Sequence, residues 1–222
     1  MCGRFALTVD PADLQDAFPE FSFPAQCAPR YNIAPSQPIL ALPNDGTNQA
    51  DFFVWGLIPS WAKDPSIGNR MINARAETLA EKPAFRSAYK HHRCLIFADG
   101  FFEWQVRPGL KSKVPHFIRL KSGAPFAFAG LWEHWQSADG SEVRSAAIIT
   151  TEPNELMASI HNRMPVILRP DTYSQWLDSA SQSPVRLQNL LVPYPAGEME
   201  AYPVSMLVNS PGNDRVECVL PA

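Results

Sequence analysis

Apolar residues in this chain fall into short blocks broken by proline, glycine and small polar residues, a pattern of many brief elements rather than of long helices. The middle of the chain is the clearest case. Arg93–Ala98, 100–106, Val114–Leu120, 125–135 and Glu142–Thr151 each read as a strand rich in aromatic and β-branched residues. Turns at Pro108-Gly109, Ser122-Gly123 and Asp139-Gly140 join them, so successive strands are expected to pair antiparallel, in a twisted sheet or partly open barrel.

The flanks are more irregular. Asp10 and Pro11 supply the cap and first-turn proline of a short helix that ends near Phe18 before Pro19. Arg30-Tyr31-Asn32-Ile33-Ala34-Pro35 leads into an apolar strand at 38–42, which should form a hairpin with 51–57 across Asn44-Asp45-Gly46. Pro59-Ser60-Trp61 opens an irregular loop that reaches Asn73-Ala74-Arg75-Ala76-Glu77-Thr78, with a short helix expected at 83–89. Beyond the central strands, Thr150 or Thr151 is expected to cap a short helix through Ile160. His161-Asn162-Arg163-Met164-Pro165 then enters a strand at 166–168. Helices are expected at 172–177 and 185–191, and strands at 201–208 and 216–220. The fold class is therefore α+β, a single domain over residues 1–222 built on an antiparallel, partly open β-barrel-like sheet with short flanking helices.

Composition narrows the function classes. A chain of 222 residues, 45% hydrophobic and 18% charged, suits one large globular domain, and its 22 prolines are spread along the sequence, punctuating short elements rather than forming a linker. No apolar run approaches the roughly 20 residues of a membrane span, so a soluble, cytoplasmic protein without membrane contact is expected. Cys2, Cys27, Cys94 and Cys218 lie far apart with no metal-type spacing, which argues against a zinc site or a disulfide framework. Cys27, Cys94 and Cys218 read as packing residues. A net charge of −3 argues against broad coating of nucleic acid but leaves room for a small basic groove.

The most informative stretch is Met1-Cys2-Gly3-Arg4-Phe5. Removal of the initiator methionine would leave a cysteine with a free α-amine and a thiol, titrating near about 7.7–8.0 and about 8.5 respectively. An aldehyde meeting this pair is captured by the amine as a Schiff base and then by the thiol, closing a thiazolidine ring whose second step is intramolecular. The alternative is an N-terminal hydrolase, in which the α-amine or a histidine serves as base for the thiol and an amide is cleaved. Taken alone, Cys2 is equally an arbitrary residue in a frayed terminus.

Later segments supply what an N-terminal reaction needs. Glu103 sits among aromatics in Phe101-Phe102-Glu103-Trp104, which should desolvate it and raise its pKa; the ordinary reading, a solvent-facing strand glutamate, is favoured from this segment alone. His161 lies at a helix-to-strand junction and is a residue type able to shuttle a proton, where a surface histidine is as good a reading. His91 and His92 read better as a polar helix end. Asn73 and Arg75, two apart, share a face in an extended segment and offer an amide and a guanidinium. With Arg4 and Arg163, Arg75 makes three arginines, each beside a candidate catalytic residue. Trp61, and with less support Trp55 and Trp104, are candidates to stack on bases.

Six segments together resemble the SOS response-associated peptidase (SRAP) family of abasic-site processing proteins. They are Met1-Cys2-Gly3-Arg4-Phe5, Arg30-Tyr31-Asn32-Ile33-Ala34-Pro35, Trp55-Gly56-Leu57-Ile58-Pro59-Ser60-Trp61, Ile72-Asn73-Ala74-Arg75-Ala76-Glu77-Thr78, Phe97-Ala98-Asp99-Gly100-Phe101-Phe102-Glu103-Trp104 and His161-Asn162-Arg163-Met164-Pro165. They occur in the family's order over most of the chain; 66–71 is less similar. The resemblance implies an enzyme that binds single-stranded DNA and crosslinks mature Cys2 to the ring-opened aldehyde of an abasic site. Asn73 would orient the Cys2 amine, Glu103 would move protons and His161 would act on the sugar. Arg4, Arg75 and Arg163 would hold phosphates, and Trp61 would stack beside the gap. It further implies a monomer that needs no cofactor or metal, joins the nucleoid during DNA damage, and has a proposed peptidase activity on its own leading residue. The alternative kept beside this is an N-terminal cysteine amidohydrolase. A third reading is a non-enzymatic single-strand-binding module in which Cys2 is incidental.

Overall fold

The structure, a computed structural model, describes residues 2–137, 139–180 and 183–222. In chain order the strands are β1 (Phe5–Leu7), β2 (Arg30–Ile33), β3 (Pro38–Pro43), β4 (Asp51–Trp55), β5 (Asn73–Arg75), β6 (Arg93–Ala98) and β7 (Gly100–Gln105). They continue as β8 (Val114–Leu120), β9 (Phe126–Gln136), β10 (Glu142–Thr151), β11 (Met164–Pro165), β12 (Ile167–Leu168) and β13 (Met199–Pro203). The α-helices are α1 (Pro11–Ala17), α2 (Arg86–His91), α3 (Glu155–Ala158), α4 (Tyr173–Leu177) and α5 (Pro184–Gln188).

Two sheets share the strands. In the first, β4, β3, β6, β9 and β10 close into a ring, antiparallel at every pairing except β4 with β10, where Ser145 lies beside Val54 in parallel. The barrel is thus closed rather than partly open. Strand β10 is its hub. Past the end of β4 the same edge takes β5 in parallel, Ile148 opposite Asn73, while Thr151 at the end of β10 pairs with Met164 of β11. The second sheet is antiparallel in the order β13-β8-β7-β1-β2.

The expected mixed α+β class with a barrel-like sheet is observed, and so are the hairpins β3–β4, β7–β8 and β9–β10. The expectation that all consecutive central strands pair is wrong at two places. A single residue, Asp99, separates β6 from β7; one residue cannot reverse a chain, so the polypeptide runs on from the barrel into the second sheet. Asp99 is fixed there by its N–H to Ala6 O (3.0 Å) and by a bond accepted from Thr8 N (2.7 Å). Likewise β8 pairs with β7 and β13, not with β9.

Three local readings are also corrected. Thr150 and Thr151 finish β10, and Asn154 caps α3 by accepting from Met157 N at 2.9 Å. Arg30–Ile33 is a strand in its own right, paired with β1. Residues 206–209 and 216–218 form 3₁₀ turns instead of strands; in the first, polar side chains satisfy the backbone locally, Ser205 capping it and Asn213 Nδ2 donating to Leu207 O at 2.8 Å.

Candidate active site

The N-terminal segment does not fray. Phe5 is fully buried on the barrel side of β1 and meets Trp55 and Phe128 edge-on, with ring centroids 5.1 and 5.8 Å away. Such contacts contribute about 0.5–1.5 kcal/mol each beyond the area they bury. β1 is also flanked on both edges, by β2 and β7. Cys2 is carried into the interior as a consequence, fully buried, its Sγ 3.8 Å from Arg4 O. Burial pushes the thiol far above its usual pKa, and the neighbouring Glu103 carboxylate adds to the shift.

Asn73 reaches this residue from the barrel. Its Nδ2 donates to Cys2 O at 2.7 Å, while its Oδ1 is buried without a hydrogen-bond partner. β5 can deliver it because pairing with β10 fixes both the register and the direction of the side chain.

Glu103 comes from the middle of β7. It is 3% exposed, so the solvent-facing reading is excluded, and burial raises its pKa, with His161 acting in the opposite direction. The flanking Phe102 packs into the smaller core with Phe117 and Val208, with Trp104 against it. The desolvation therefore comes from the barrel side of the strand, not from those two rings. His161 closes the group with Nε2 3.9 Å from Glu103 Oε2. Its backbone N–H is held by Met157 O at 2.8 Å, and its Nδ1 accepts from Arg163 N at 3.1 Å. The same Nδ1 lies 3.3 Å from Arg163 O, so both ring nitrogens are placed for polar contact, Nδ1 with the Arg163 backbone and Nε2 with the Glu103 carboxylate.

The structure thus brings Cys2, Asn73, Glu103 and His161 together. The arginines differ from one another. Arg75, beside Thr150 in the β5–β10 pairing, is exposed and forms no hydrogen bond or ion pair among the described residues. Arg163 flanks the same strand end, doubly bonded to Glu77 at 2.7 and 3.0 Å and to Thr150 O at 2.6 Å. Arg4 is not part of the group. Just ahead of β1, it points away from the barrel side that Phe5 occupies, lies over Trp104 and donates to Asn32 Oδ1 and Val208 O, both at 2.7 Å. In this structure one Nη of Arg4 is thus engaged internally.

Trp61 is 61% exposed on the loop between β4 and β5. That loop is clamped where Gly56 and Gly68 touch: a Cβ on Gly68 would lie 2.7 Å from Gly56 O, and Gly56 itself has φ +129°. Only glycine fits both places. Trp55 is core, and Trp104 belongs to the second packing cluster.

Two residues near the site escaped the sequence reading. His116 lies directly opposite Glu103 in the β7–β8 pairing and so on the same face. It is buried, burial lowers its pKa, and its Nδ1 donates to Val114 O at 3.1 Å. Gln105 donates to Ser159 O at 2.8 Å, tying β7 to the loop of His161. Neither is flagged by its sequence context; only the strand register exposes them. Among the described residues no group of three or more His, Cys, Asp or Glu is placed to hold a metal, and no helix is long and apolar enough to cross a membrane.

This fold with this N-terminal cluster marks a known class, and the chain belongs to the SOS response associated peptidase (SRAP) family, whose model matches residues 1–211. Its relatives include abasic site processing protein YoaM of Bacillus subtilis, 52% identical over 98% of this chain and 96% of its own length. Abasic site processing protein HMCES of Rattus norvegicus is 31% identical over 92% of this chain and 68% of its own. A crystal structure of a protein from Bacteroides thetaiotaomicron superposes with a TM-score of 0.89 at 26% identity, covering both chains completely.

Proposed function

We propose that this protein processes abasic sites in single-stranded DNA by covalent capture, in the response to DNA damage. The observation that carries the reading is the group in which Asn73 holds the buried Cys2 and the buried Glu103 faces His161. In the chain as translated the Cys2 nitrogen is an amide, so hydrolysis of the Met1–Cys2 bond comes first. The freed amine then attacks C1′ of the ring-opened sugar, and the resulting carbinolamine loses water to give an imine. Addition of the thiol to the same carbon closes the thiazolidine, with the thiol proton passing to the ring nitrogen.

Each side chain has a place in that sequence. Asn73 Oδ1, an acceptor without a partner, accepts from the new amine. Glu103, its pKa raised by burial, delivers a proton to the departing hydroxyl and takes one from the incoming nucleophile. His161, its Nε2 facing Glu103, acts on the sugar oxygen. A thiol held protonated by burial is a poor first nucleophile, which favours an amine-first order over thiolate attack on an amide. Arg75 and Arg163 take the phosphates that flank the lesion, and Trp61 stacks on a neighbouring base.

The test is intact mass after mixing protein, freed of Met1, with a single strand that carries one abasic site. Wild type is expected to gain the mass of the strand less one water in a heat-stable adduct; Cys2→Ala and a chain that keeps Met1 are expected to gain none. Intact lesion with no adduct from processed wild type would defeat the proposal.

A further inference from the structure

Arg107 follows the end of β7, in the connection to β8, where Arg107, Lys111 and Lys113 occur without an intervening acid in a chain of net charge −3. Such a run is ordinarily no more than a solvated turn. What distinguishes Arg107 is how it is held. Side chains 103 and 105 project from one face of β7, and Gln105 spends both ends of its amide locally: Nε2 donates to Ser159 O in the His161 loop at 2.8 Å, and Oε1 accepts from Arg107 Nε at 2.6 Å. The guanidinium is thereby turned toward the Glu103 face. The His116 imidazole opposite Glu103 senses it: after burial, and against the bond to Val114 O, the Arg107 charge also lowers that pKa. Arg107 is exposed, and neither Nη group has a hydrogen-bond partner among the described residues. Its Cα is at most about 14 Å from that of Glu103 along the extended strand.

We infer that Arg107 is a phosphate-binding residue for the DNA strand on the β7 side of the lesion, its fork aimed by Gln105. Arg75 and Arg163 lie at the end of β10, and Arg107 adds a third exposed or partly exposed cation at the end of β7. The donor set suits a phosphodiester: two outward Nη groups on a planar guanidinium whose third nitrogen is already occupied. The inference rests on the abasic-site reading.

The experiment is noncovalent binding, by fluorescence anisotropy over a salt series, of a single strand with a tetrahydrofuran abasic analogue, which has no aldehyde and cannot crosslink. Wild type, Arg107→Ala, Arg107→Lys and Arg186→Ala are compared, Arg186 being an exposed arginine of α5 and so a control for net charge. Arg107→Ala is expected to weaken binding several-fold at low salt and to reduce the slope of log K against log salt by about 0.7. Arg107→Lys should restore the slope with less than full affinity, and Arg186→Ala should leave the slope unchanged. A wild-type slope in Arg107→Ala, or an equal loss in Arg186→Ala, overturns the assignment while leaving the proposed function in place. Failure of wild type both to bind the analogue and to crosslink a natural abasic strand defeats the abasic-site reading, and this inference with it.

Discussion

Asn73→Ala separates a catalytic from a structural reading of the site. In the chain that retains Met1, the side chain makes one bond, to Cys2 O at 2.7 Å, and strands one acceptor, Oδ1. A neutral hydrogen bond contributes about 0.5–1.5 kcal/mol net, and a buried unpaired acceptor costs about 1–3 kcal/mol. Deleting the amide relieves Oδ1 but leaves Cys2 O without its donor, so the two orphan costs offset and the net loss is that of the hydrogen bond, about 0.5–1.5 kcal/mol. After Met1 is removed the cost grows, because Oδ1 gains the α-amine as donor. Hydrogen bonds to charged groups contribute about 1.5–3 kcal/mol, which corresponds to a loss of crosslinking rate of roughly ten- to a hundredfold. Urea unfolding of both forms measures the first quantity, and single-turnover crosslinking followed on denaturing gels measures the second. A variant that loses more than about 3 kcal/mol with Met1 present, or one that crosslinks at the wild-type rate when mature, would refute this reasoning.

Other consequences follow from the same geometry. Burial raises the Glu103 pKa above its unfolded value, so its favourable contribution is present while the carboxyl is protonated and is lost as pH rises through the folded pKa. Glu103→Gln should therefore gain stability relative to wild type on going from acid to neutral pH, measured by unfolding at each pH, while crosslinking slows; a difference that shrinks with rising pH would contradict the sign. Trp61→Ala should leave stability within about 0.5 kcal/mol, yet weaken single-strand binding by about 1–3 kcal/mol if one base stacks there; unchanged affinity would remove Trp61 from the interface. Glu77→Gln releases Arg163 from a half-exposed carboxylate and removes a like charge beside the phosphates, so DNA affinity should rise a few-fold; weaker binding would show that Glu77 instead holds Arg163 in place. Gly68→Ala pushes a methyl against Gly56 O, and should lower Tm and DNA affinity together by displacing the Trp61 loop.

Strand positions were readable because each central strand carries its own apolar signal and its own turn; three of the five central strands appear with the expected bounds. Pairing was not readable. Nothing local announces that the chain changes sheets at Asp99, nor that β10 takes β4 and β5 in parallel from segments far upstream. The candidate site residues came from their motifs, and the structure brings four of them together; for Glu103 the local argument pointed the wrong way, since enclosure comes from the barrel rather than from the rings beside it. Arg4 shows the limit of proximity in sequence: two residues from Cys2, it points away from the barrel side that Phe5 occupies. His116 and Gln105 become visible only once register sets them beside Glu103 and the His161 loop.

The enclosure of Cys2 has a bearing on selectivity. A 1,2-aminothiol free in solution condenses with any aldehyde it meets, and an exposed thiolate is readily consumed by peroxides or other disulfides. Here the sulfur is fully buried and kept protonated, so its reactivity toward freely diffusing partners is quenched by lack of access. A strand held by its phosphates can insert a baseless sugar where a stray aldehyde gains no such purchase. Under the proposed capture, discrimination lies in delivery: the enclosed sulfur meets the carbonyl that arrives attached to DNA.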